Sequence, residues 1–578
     1  MYVYKVIPKL RSSSQDSFDY LSDSPLEFGQ IVEISFGKSK TFGAIVGQTK
    51  KSKFATKKVI RIVSSGRVFT QKQLLLAQQL SSQYLRPLGE TLFSFLPTMN
   101  IGDIKKLSGR DNSFSKFKNK AGIYVSSQEN RESYYLQQSL LSNNQVLIVL
   151  PEIDRIKKLS FSLKKIAPQK KVFQYHSFLK SQQKAKIWNH LISGKEAIII
   201  GTRQSLLLPF SSLELICIDD PLDFAYDEDQ SPYYQAFFVA RRLREIFSTS
   251  LIIGESIPSV TSFVGYLQKK LTLTIKKEKR KVSILDSFNN FSKQLSFQKF
   301  ILQKVQSRSK ICFVGPWKNQ TKLRCVDCNN EVICKNCQNS YFNQSNGVCA
   351  KCTNQTDLCP NCQSPNLKNF GFSYKAIEQS LERSLPQIKN SISPSEKIDQ
   401  SKNIFILNPS EAAKSSIQFD AIIFPYFDLM KNFASLGYRH KIFRLIYNLP
   451  ILSDAKIILM GENLNDDKFT SQVKNFDFES FLRDETLDRK KFQMPPFGKA
   501  IEIISKAGSE DLVKDKLMKL SKNLNLDIMT LRSDGTKKTK TAKGLFFVAT
   551  NKWESFKKDL KKALDNKTHL RIDRSDYL

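Results

Sequence analysis

The sequence predicts a multidomain α/β protein with a β-rich N-terminal domain, a cysteine-rich insertion and an α+β C-terminal domain. The chain has 578 residues, and because single hydrophobic cores rarely grow beyond about 250 to 300 residues, several domains are expected. From residue 122 to about residue 263, short apolar strands alternate with helical stretches, which is typical of a parallel sheet covered by helices. Eight of the ten cysteines lie between Cys325 and Cys362, which sets this segment apart.

The first 100 residues alternate short apolar segments with glycine-containing turns. The segments are YVYKVI, QIVEISFG, FGAIVGQT and KKVIRIV. This alternation predicts a small β-rich domain. A helix is predicted after it, over Gln71–Tyr84.

The α/β region contains four apolar strands, predicted at 146–150, 197–200, 215–218 and 251–254. Strand-like segments resume near Lys310 with ICFVGPW, NIFILN and AIIFPYFD, which predict a second sheet.

The cysteine-rich segment contains four Cys-x-x-Cys pairs: Cys325/Cys328, Cys334/Cys337, Cys349/Cys352 and Cys359/Cys362. Two thiolates three positions apart on a tight turn reach one tetrahedral ion, and two such pairs complete a four-sulfur shell. Eight sulfurs therefore predict two structural zinc ions. The alternatives are iron–sulfur ligation or four disulfides. Disulfides need an oxidising compartment, but the N-terminus lacks a secretory signal, which argues against them. No histidine lies near the segment, so no open position for a reactive water is expected.

The chain is strongly basic. Its 90 Lys and Arg residues outnumber its 54 Asp and Glu residues, which gives a formal net charge of +36 at pH 7. Such an excess attracts polyanions through counterion release, so nucleic acid is the first partner to consider. The alternative is that the lysines reflect a general compositional bias and only solvate the surface. No apolar run has the length of a membrane span, so a soluble, cytoplasmic protein without a membrane partner is expected.

Four N-terminal motifs point to one family: FDY at 18–20, G-x-x-V-x-x-x-FG at 29–37, FGAIV at 42–46 and YLRPLGETLFSFLP at 84–97. They resemble the N-terminal domain of the primosomal replication-restart family PriA. In that family the domain captures the 3′ end of a nascent DNA strand at a fork.

The resemblance implies roles in 3′-end binding for Phe18, Asp19 and Lys57. Asp19 would receive the terminal hydroxyl, because a carboxylate repels phosphate but accepts hydrogen bonds from a hydroxyl or a base amino group. Lys57 would hold the adjacent phosphate, and Phe18 would pack near the base. The alternative is that Asp19 caps a turn and Phe18 belongs to the hydrophobic core.

Further motifs follow the order of the PriA family: PEI at 151–153, His-Ser at 176–177, GTRQSLLLPF at 201–210 and IIGESIPSV at 252–260. They resemble a superfamily-2 helicase lobe with a RecA-like fold. The stretch that corresponds to the phosphate-binding loop, residues 124–131, contains no glycine, and Asn130 and Arg131 stand where a Lys and a Ser or Thr are needed. The family's Asp-Glu-Glu-His reads Asp-Asp-Pro-Leu at 219–222, so weak metal binding by Asp219 and Asp220 is the most that we expect.

The second lobe has lost its catalytic elements as well. LNPSEAAK replaces a Gly-Thr-Gln loop, and IYNLPILSDAK replaces an arginine-finger element. Arg439 and Arg444 lie upstream and are interpreted as ordinary helix or surface residues. Because all three hydrolysis elements are lost together, we predict two degenerate lobes without catalytic or nucleotide-binding residues.

The spacing of the cysteine pairs resembles the zinc module of the PriA family, in which the pairs are nested. The resemblance implies that Cys325, Cys328, Cys359 and Cys362 bind one zinc ion, and that Cys334, Cys337, Cys349 and Cys352 bind the other. The last residues resemble the C-terminal domain of the family. The winged helix that usually lies between the family's 3′-end-binding domain and first lobe has no room here, because only about residues 100–120 are available. The predicted domains are a 3′-end DNA-binding domain (1–105), a basic linker (106–120), the first lobe (121–265), the start of the second lobe (266–322), the zinc-binding module (323–366), the rest of the second lobe (367–485) and the C-terminal domain (486–578).

The resemblance implies a PriA-like protein that recognises forked or branched DNA and scaffolds primosome assembly, without ATP hydrolysis. Its expected partners are replication forks, strand 3′ ends, single-stranded DNA, single-strand-binding protein and primosome or helicase-loading proteins. One alternative is an ATP-dependent 3′-to-5′ DNA helicase, and another is a general zinc-ribbon nucleic-acid-binding protein.

Overall fold

The computed structural model divides into two compact units. Unit 1 comprises Met1–Lys277 and Thr486–Leu578, and unit 2 comprises Glu278–Glu485. The predicted C-terminal domain therefore packs in one unit with the N-terminal half of the chain. The residues that the structure describes are 1–11, 15–49, 57–97, 101–107, 119–276, 281–286, 295–315, 320–335, 341–343, 347–349, 355–370, 374–393, 398–431, 437–461, 463–506, 519, 528–534, 541–563 and 568–575.

The N-terminal domain is an antiparallel sheet, as the alternating segments predict. Its strands are β1 (Tyr2–Pro8), β2 (Phe18–Ser22), β3 (Ile31–Phe36), β4 (Ser39–Thr49) and β5 (Val59–Ile62). They are ordered β2-β1-β4-β3-β5, and a bridge between Leu21 and Lys58 joins the β5 end of the sheet back to β2. The core of the domain contains Tyr4, Val6 and Tyr20.

Three helices follow the sheet: α1 (Gln71–Tyr84), α2 (Leu88–Ser94) and α3 (Ile101–Lys105). A capping box begins α1, because the Gln73 N–H donates to Thr70 Oγ1 and the Thr70 N–H donates to Gln73 Oε1, both at 3.1 Å. Gln73 Nε2 also donates to the Leu207 carbonyl at 2.9 Å, and Trp188 Nε1 donates to the Val68 carbonyl at 3.0 Å. These contacts fix the N-terminal domain to the first lobe.

The first lobe is a seven-stranded sheet in the order β12-β6-β11-β10-β7-β9-β8, in which every strand pair is parallel. Its strands are β6 (Ala121–Val125), β7 (Gln145–Val149), β8 (Val172–Tyr175), β9 (Ala197–Gly201), β10 (Leu213–Asp219), β11 (Ser250–Glu255) and β12 (Thr272–Ile275). Its helices are α4 (Gln128–Leu140), α5 (Ile153–Ile166), α6 (Ser181–Ile192), α7 (Ala236–Phe247) and α8 (Val260–Leu267). The central strands β7 and β9 are buried at every position, as expected of a sheet covered on both faces.

The sheet of the first lobe extends past the boundary at 265/266 that the sequence predicts. β12 pairs with β6, from Thr272 opposite Gly122 to Ile275 opposite Val125. The strand is only four residues long and lies at the sheet edge, so its apolar signal is too short to separate from the surrounding polar residues.

Unit 2 contains a second parallel sheet and a small antiparallel one. The strands are β13 (Lys281–Asp286), β14 (Ile311–Val314), β15 (Gln320–Cys325), β16 (Tyr341–Asn343), β17 (Leu367–Phe370), β18 (Ile404–Leu407), β19 (Phe419–Phe424) and β20 (Ile451–Gly461). The parallel sheet has the order β13-β20-β19-β14-β18, and the sheet of the cysteine-rich insertion has the order β16-β15-β17. The helices are α9 (Leu295–Gln306), α10 (Tyr374–Ser384), α11 (Pro409–Lys414), α12 (Phe427–Lys431), α13 (Tyr438–Asn448), α14 (Lys468–Asn475) and α15 (Phe478–Lys491).

The C-terminal segment forms an antiparallel sheet in the order β22-β23-β21-β24. Its elements are β21 (Gly498–Lys506), β22 (Ile528–Asp534), β23 (Thr541–Ala549), α16 (Trp553–Ala563) and β24 (Thr568–Ile572). Trp553 and Leu560 share one core cluster with Leu76 of α1 and Ile216 of β10. The sequence also predicts a helix at 511–524, which lies outside the described residues except for residue 519. It further predicts a basic hairpin, whose Lys537, Lys538 and Lys540 lie outside them as well.

Candidate metal centre and nucleic-acid interface

The outer cysteine pairs form a four-sulfur cluster. The sulfur atoms of Cys325, Cys328, Cys359 and Cys362 all lie within 4.8 Å of one another. Cys325 Sγ is 3.5 Å from Cys362 Sγ, and Cys328 Sγ is 3.6 Å from Cys359 Sγ. Four thiolates at about 2.3 Å from a tetrahedral zinc ion are separated by about 3.8 Å, so the cluster has the size of a zinc site.

The two Cys-x-x-Cys turns of the cluster share one backbone geometry. In each, the first cysteine N–H donates to the carbonyl five residues on, from Cys325 to Asn330 at 3.0 Å and from Cys359 to Ser364 at 2.8 Å. Each turn is closed by a left-handed residue, Asn329 at φ 56° and Gln363 at φ 59°. The cluster is therefore built from two matching turns.

The chemistry of the thiols fits a bound cation. The Asn330 N–H donates to the Cys328 sulfur and lowers the pKa of this thiol to about 6. The Ser364 N–H acts in the same direction on Cys362, but the neighbouring cysteine sulfurs outweigh it and raise the pKa of Cys362 to about 12. The pKa values of Cys328 and Cys362 thus move in opposite directions, and a metal cation among the sulfurs would favour the ionised form of both thiols.

The inner cysteine pairs are described only in part. Cys334 and Cys349 are buried and share a small core with Leu323 and Val332. Their predicted partners Cys337 and Cys352 lie outside the described residues. The second zinc ion therefore stays a prediction.

The residues predicted to bind a DNA 3′ end lie on and beside the edge strand β2. Asp19 is half-buried, and within the described part of the chain no hydrogen bond or ion pair engages its carboxylate. The Leu21 N–H, two residues along the strand, donates to the Lys57 carbonyl at 3.0 Å. Lys5 is the cross-strand neighbour of Asp19 on β1. Asp19 therefore lies between two basic segments.

Phe18 does not share the face of Asp19, because successive side chains of a strand point to opposite sides. Its ring packs edge-on against Phe36, with ring centroids 5.1 Å apart, and contacts the core that contains Tyr20. The backbone therefore places Lys57 beside the strand that carries Asp19, whereas the contacts of Phe18 are those of a core residue that is still half-exposed.

A buried ion cluster occupies the carboxyl edge of the first lobe, where the sequence analysis predicts degraded hydrolysis motifs. We call it the strand-end cluster and define it as Arg131, Glu132, Tyr135, Arg155 and Asp219. Asp219 Oδ1 accepts from Arg131 Nε at 2.7 Å and from the Tyr135 hydroxyl at 2.6 Å. Asp219 Oδ2 accepts from Arg155 Nη2 at 2.7 Å and from Arg131 Nη2 at 3.3 Å. Arg155 Nε also donates to Glu132 at 2.7 Å.

The strand-end cluster corrects the expectation of weak metal binding by Asp219. The side chain is fully buried, and four donors occupy both of its carboxylate oxygens. Burial acts to raise the pKa of Asp219, but the charges of Arg131 and Arg155 outweigh it and hold this pKa well below its ordinary value. The carboxylate is ionised and already neutralised, so it has no free lone pair to offer a metal ion.

Sequence reasoning missed Tyr135, Arg155 and Glu132 as members of this cluster. Arg155 lies at the start of α5 and 64 residues before Asp219, so no local spacing connects them. In unit 2, the LNPSEAAK segment begins α11 through a capping box in which Asn408 and Glu411 accept hydrogen bonds from each other's backbone N–H. Arg439 lies over the Phe469 ring at 5.7 Å.

None of the helices in the described part of the chain is both long enough and apolar enough to cross a membrane.

Comparisons with known proteins agree along most of the chain. Residues 5–97 match the PriA family of 3′DNA-binding domains. The replication restart protein PriA of Borreliella burgdorferi is 24% identical over 528 residues, which cover 81% of this chain and 79% of that protein. The replication restart protein PriA of Rickettsia conorii is 23% identical over 581 residues, which cover 88% of this chain and 89% of that protein. Among solved structures, RecG bound to a three-way DNA junction is 10% identical, covers 72% of this chain and 46% of that one, and has a TM-score of 0.35.

The N-terminal motifs and these matches agree with one another: residues 5–97 match the PriA 3′DNA-binding domain, and the chain is similar over most of its length to PriA replication restart proteins.

Proposed function

We propose that the chain binds forked or branched DNA in replication restart, takes a strand 3′ end into its N-terminal domain, and scaffolds primosome assembly without hydrolysing ATP. One observation carries the proposal: the 3′DNA-binding match over residues 5–97 contains a half-buried Asp19 whose carboxylate has no partner among the described residues. A half-buried carboxylate without a partner is available to a ligand that donates a hydrogen bond.

The chemistry of Asp19 favours a strand end over a continuous backbone. A terminal 3′-hydroxyl donates a hydrogen bond to a carboxylate, whereas an internal phosphodiester offers only repulsion. Lys57 and Lys5 flank Asp19 and would neutralise the phosphates next to the end. The net charge of +36 adds a sequence-independent attraction to DNA that falls as salt rises.

The zinc-binding module supports a structural role. Cys325, Cys328, Cys359 and Cys362 would hold one zinc ion, and the inner cysteines would hold the second. Zinc bound by four thiolates keeps no position for water, so it cross-links the two turns rather than taking part in a reaction.

The proposed absence of ATP hydrolysis is inferred from the residues of the two lobes. We interpret these lobes as degenerate RecA-like helicase lobes. Asp219 forms ion pairs with two arginines, and the sequence at α11 forms an ordinary capped helix. The proposed protein partners are single-strand-binding protein and primosome or helicase-loading proteins, and the proposed location is the cytoplasm.

Competition binding tests the proposal. A labelled fork with a 3′-hydroxyl at the branch should be displaced by the same unlabelled fork about tenfold better than by a fork that ends in a 3′-phosphate, since a hydrogen bond to a charged group contributes roughly 1.5–3 kcal/mol. Asp19→Ala should abolish this preference, while Asp16→Ala, which removes an exposed acid before β2, should retain it. Equal displacement by both forks and by plain duplex would favour a general nucleic-acid-binding protein.

The two parallel-sheet lobes also suit a DNA helicase, the second candidate. It predicts phosphate release from ATP that forked DNA stimulates in zinc-replete protein. Fork-stimulated release above that of a blank without protein would establish the helicase class and remove the non-hydrolytic scaffold.

A further inference from the structure

In parallel α/β folds, phosphate ligands bind at the carboxyl edge of the sheet, against the N-terminus of the helix that follows a strand. In the first lobe this place lies between β6 and α4. β6 ends at Val125 and α4 begins at Gln128, so only Ser126 and Ser127 connect them. A phosphate-binding loop is several residues longer, because successive backbone amides must surround the phosphate. The connection is thus too short to form such a loop.

The guanidinium of Arg131 fills the space under this connection. Its Nη1 donates to the Ser126 carbonyl at 2.8 Å, while Nε and Nη2 reach across to Asp219 at 2.7 and 3.3 Å. The side chain is only 2% exposed. An internal cation therefore bridges the strand-helix connection and the end of β10.

The strand-end cluster balances its own charges. Arg131 and Arg155 are positive, and Asp219 and Glu132 are negative, so the cluster has no cation to spare for a polyphosphate. A nucleotide with its magnesium ion would have to separate Asp219 from an arginine. Leaving one member of a buried ion pair without its partner is strongly unfavourable.

Packing closes the remaining space between α4 and β11. A Cβ atom at Gly254 would lie 1.5 Å from the Tyr135 hydroxyl and 3.1 Å from Arg131 Cδ. The glycine of β11 thus accommodates the cluster, and no gap remains there for a ligand atom.

We propose that the strand-end cluster is a permanent internal plug that excludes nucleoside triphosphates and their magnesium ion from the first lobe, so that DNA binding does not respond to nucleotide. The inference rests on the proposed function and extends it from the absence of ATP turnover to the absence of ATP binding at this site.

Hydrogen exchange of the full, zinc-replete chain tests the plug. Millimolar MgATP should leave the exchange of residues 126–135 unchanged. It should also leave fork affinity within about twofold of its value in magnesium tripolyphosphate, which controls for screening of the basic surface. Protection of residues 126–135 by MgATP but not by tripolyphosphate would overturn the inference.

A matched pair of variants tests the role of Arg131. Arg131→Met should speed exchange in the first turn of α4 by about tenfold, because it removes the bridge between that turn and β10. Lys157→Met, on the exposed face of α5, should leave exchange there unchanged, and equal exchange in both variants would overturn the inference.

The outcomes separate the inference from the proposed function. Protection by MgATP without phosphate release overturns the plug and leaves the scaffold function standing. Loss of fork preference with unchanged exchange removes 3′-end recognition and supports the plug.

Discussion

The outer cysteine cluster and the strand-end cluster both gather groups that carry charge, yet they differ in where the compensating charge comes from. In the cysteine cluster, where Cys328 and Cys359 are 31 residues apart in sequence, a bound metal ion would supply the charge that compensates the thiolates. Asp219 obtains its cations from the chain itself, through Arg131 and Arg155. The comparison indicates that one site could hold a metal ion, whereas the other is already neutralised by side chains of the same chain.

The two regions also differ in how folding depends on them. A metal site gains its binding free energy only when its ligands come together, so metal removal acts on the whole module. A buried ion network is costly to assemble, and its members stabilise the fold mainly because losing one leaves the others without a partner.

Removing the metal should give the largest effect. Cys359→Ser takes one buried ligand from the outer cluster, so the zinc content measured by elemental analysis should fall by one ion per chain and the module should become sensitive to protease. Cys217→Ala, which changes a buried cysteine of β10, should keep the full zinc content. Unchanged zinc in Cys359→Ser would contradict the assignment of this cluster.

Breaking the strand-end cluster should have the next largest effect. Asp219→Ala leaves Arg131 and Arg155 buried without their shared carboxylate, and should lower the free energy of unfolding by about 3–5 kcal/mol in chemical denaturation. Asp154→Ala removes only an exposed ion pair with Lys157 and should change the free energy of unfolding by less than about 1 kcal/mol.

The effect of Asp219 should depend on pH with a defined sign. The pKa of Asp219 is lowered in the folded state. Its contribution to the free energy of unfolding is therefore fully present above the ordinary pKa of an aspartate and is lost as the pH falls below that value. If Asp219→Ala matched Asp154→Ala in stability at neutral pH, the strand-end cluster would not hold the lobe together.

Glu255, which lies beside the strand-end cluster at the end of β11, should have an opposite and smaller effect. Burial raises its pKa from 4.5 to about 7, so the folded state keeps a proton that the unfolded state has released. Stability should therefore fall by up to about 3 kcal/mol as pH rises from about 4.5 to 7, and then level off.

Glu255→Gln should remove most of this decline, because the amide keeps an acceptor for the Ser259 N–H, now 2.9 Å from Glu255 Oε1, and does not ionise. Denaturation curves at pH 5 and pH 8 for both proteins measure the difference. An equal loss of stability between pH 5 and pH 8 in Glu255→Gln would show that other groups cause the loss.

Asp327 should give the smallest effect. Its carboxylate accepts from Ser364 and from Asn366, and so links the two turns of the cysteine cluster from outside. Asp327→Ala should weaken zinc binding by about tenfold in a chelator competition, as for other groups that orient metal ligands. Asp357→Ala, an exposed acid near the same cluster, is the control and should leave zinc affinity unchanged.

These two regions show what the sequence makes predictable. The Cys-x-x-Cys spacing is local, so it indicates the ligands directly, and the predicted outer set comes together as expected. The strands of the first lobe are also predictable, because continuous apolar runs such as QVLIV and AIIIG are typical of parallel strands that are buried on both faces.

The strand-end cluster was not predictable from the sequence. Arg131 and Asp219 are 88 residues apart, and their pairing depends on the order in which the strands assemble. The sequence likewise indicates Phe18 and Asp19 as one site, although strand alternation puts their side chains on opposite faces.

The division of unit 1 has a consequence for synthesis on the ribosome. Roughly 200 residues of unit 2 are made between Lys277 and Thr486, which takes about 10–40 s at about 5–20 residues per second. During that time Leu76 of α1 and Ile216 of β10 lack the part of their core cluster that Trp553 and Leu560 later supply. We therefore expect the nascent chain to depend on chaperones until α16, which contains Trp553 and Leu560, has been made.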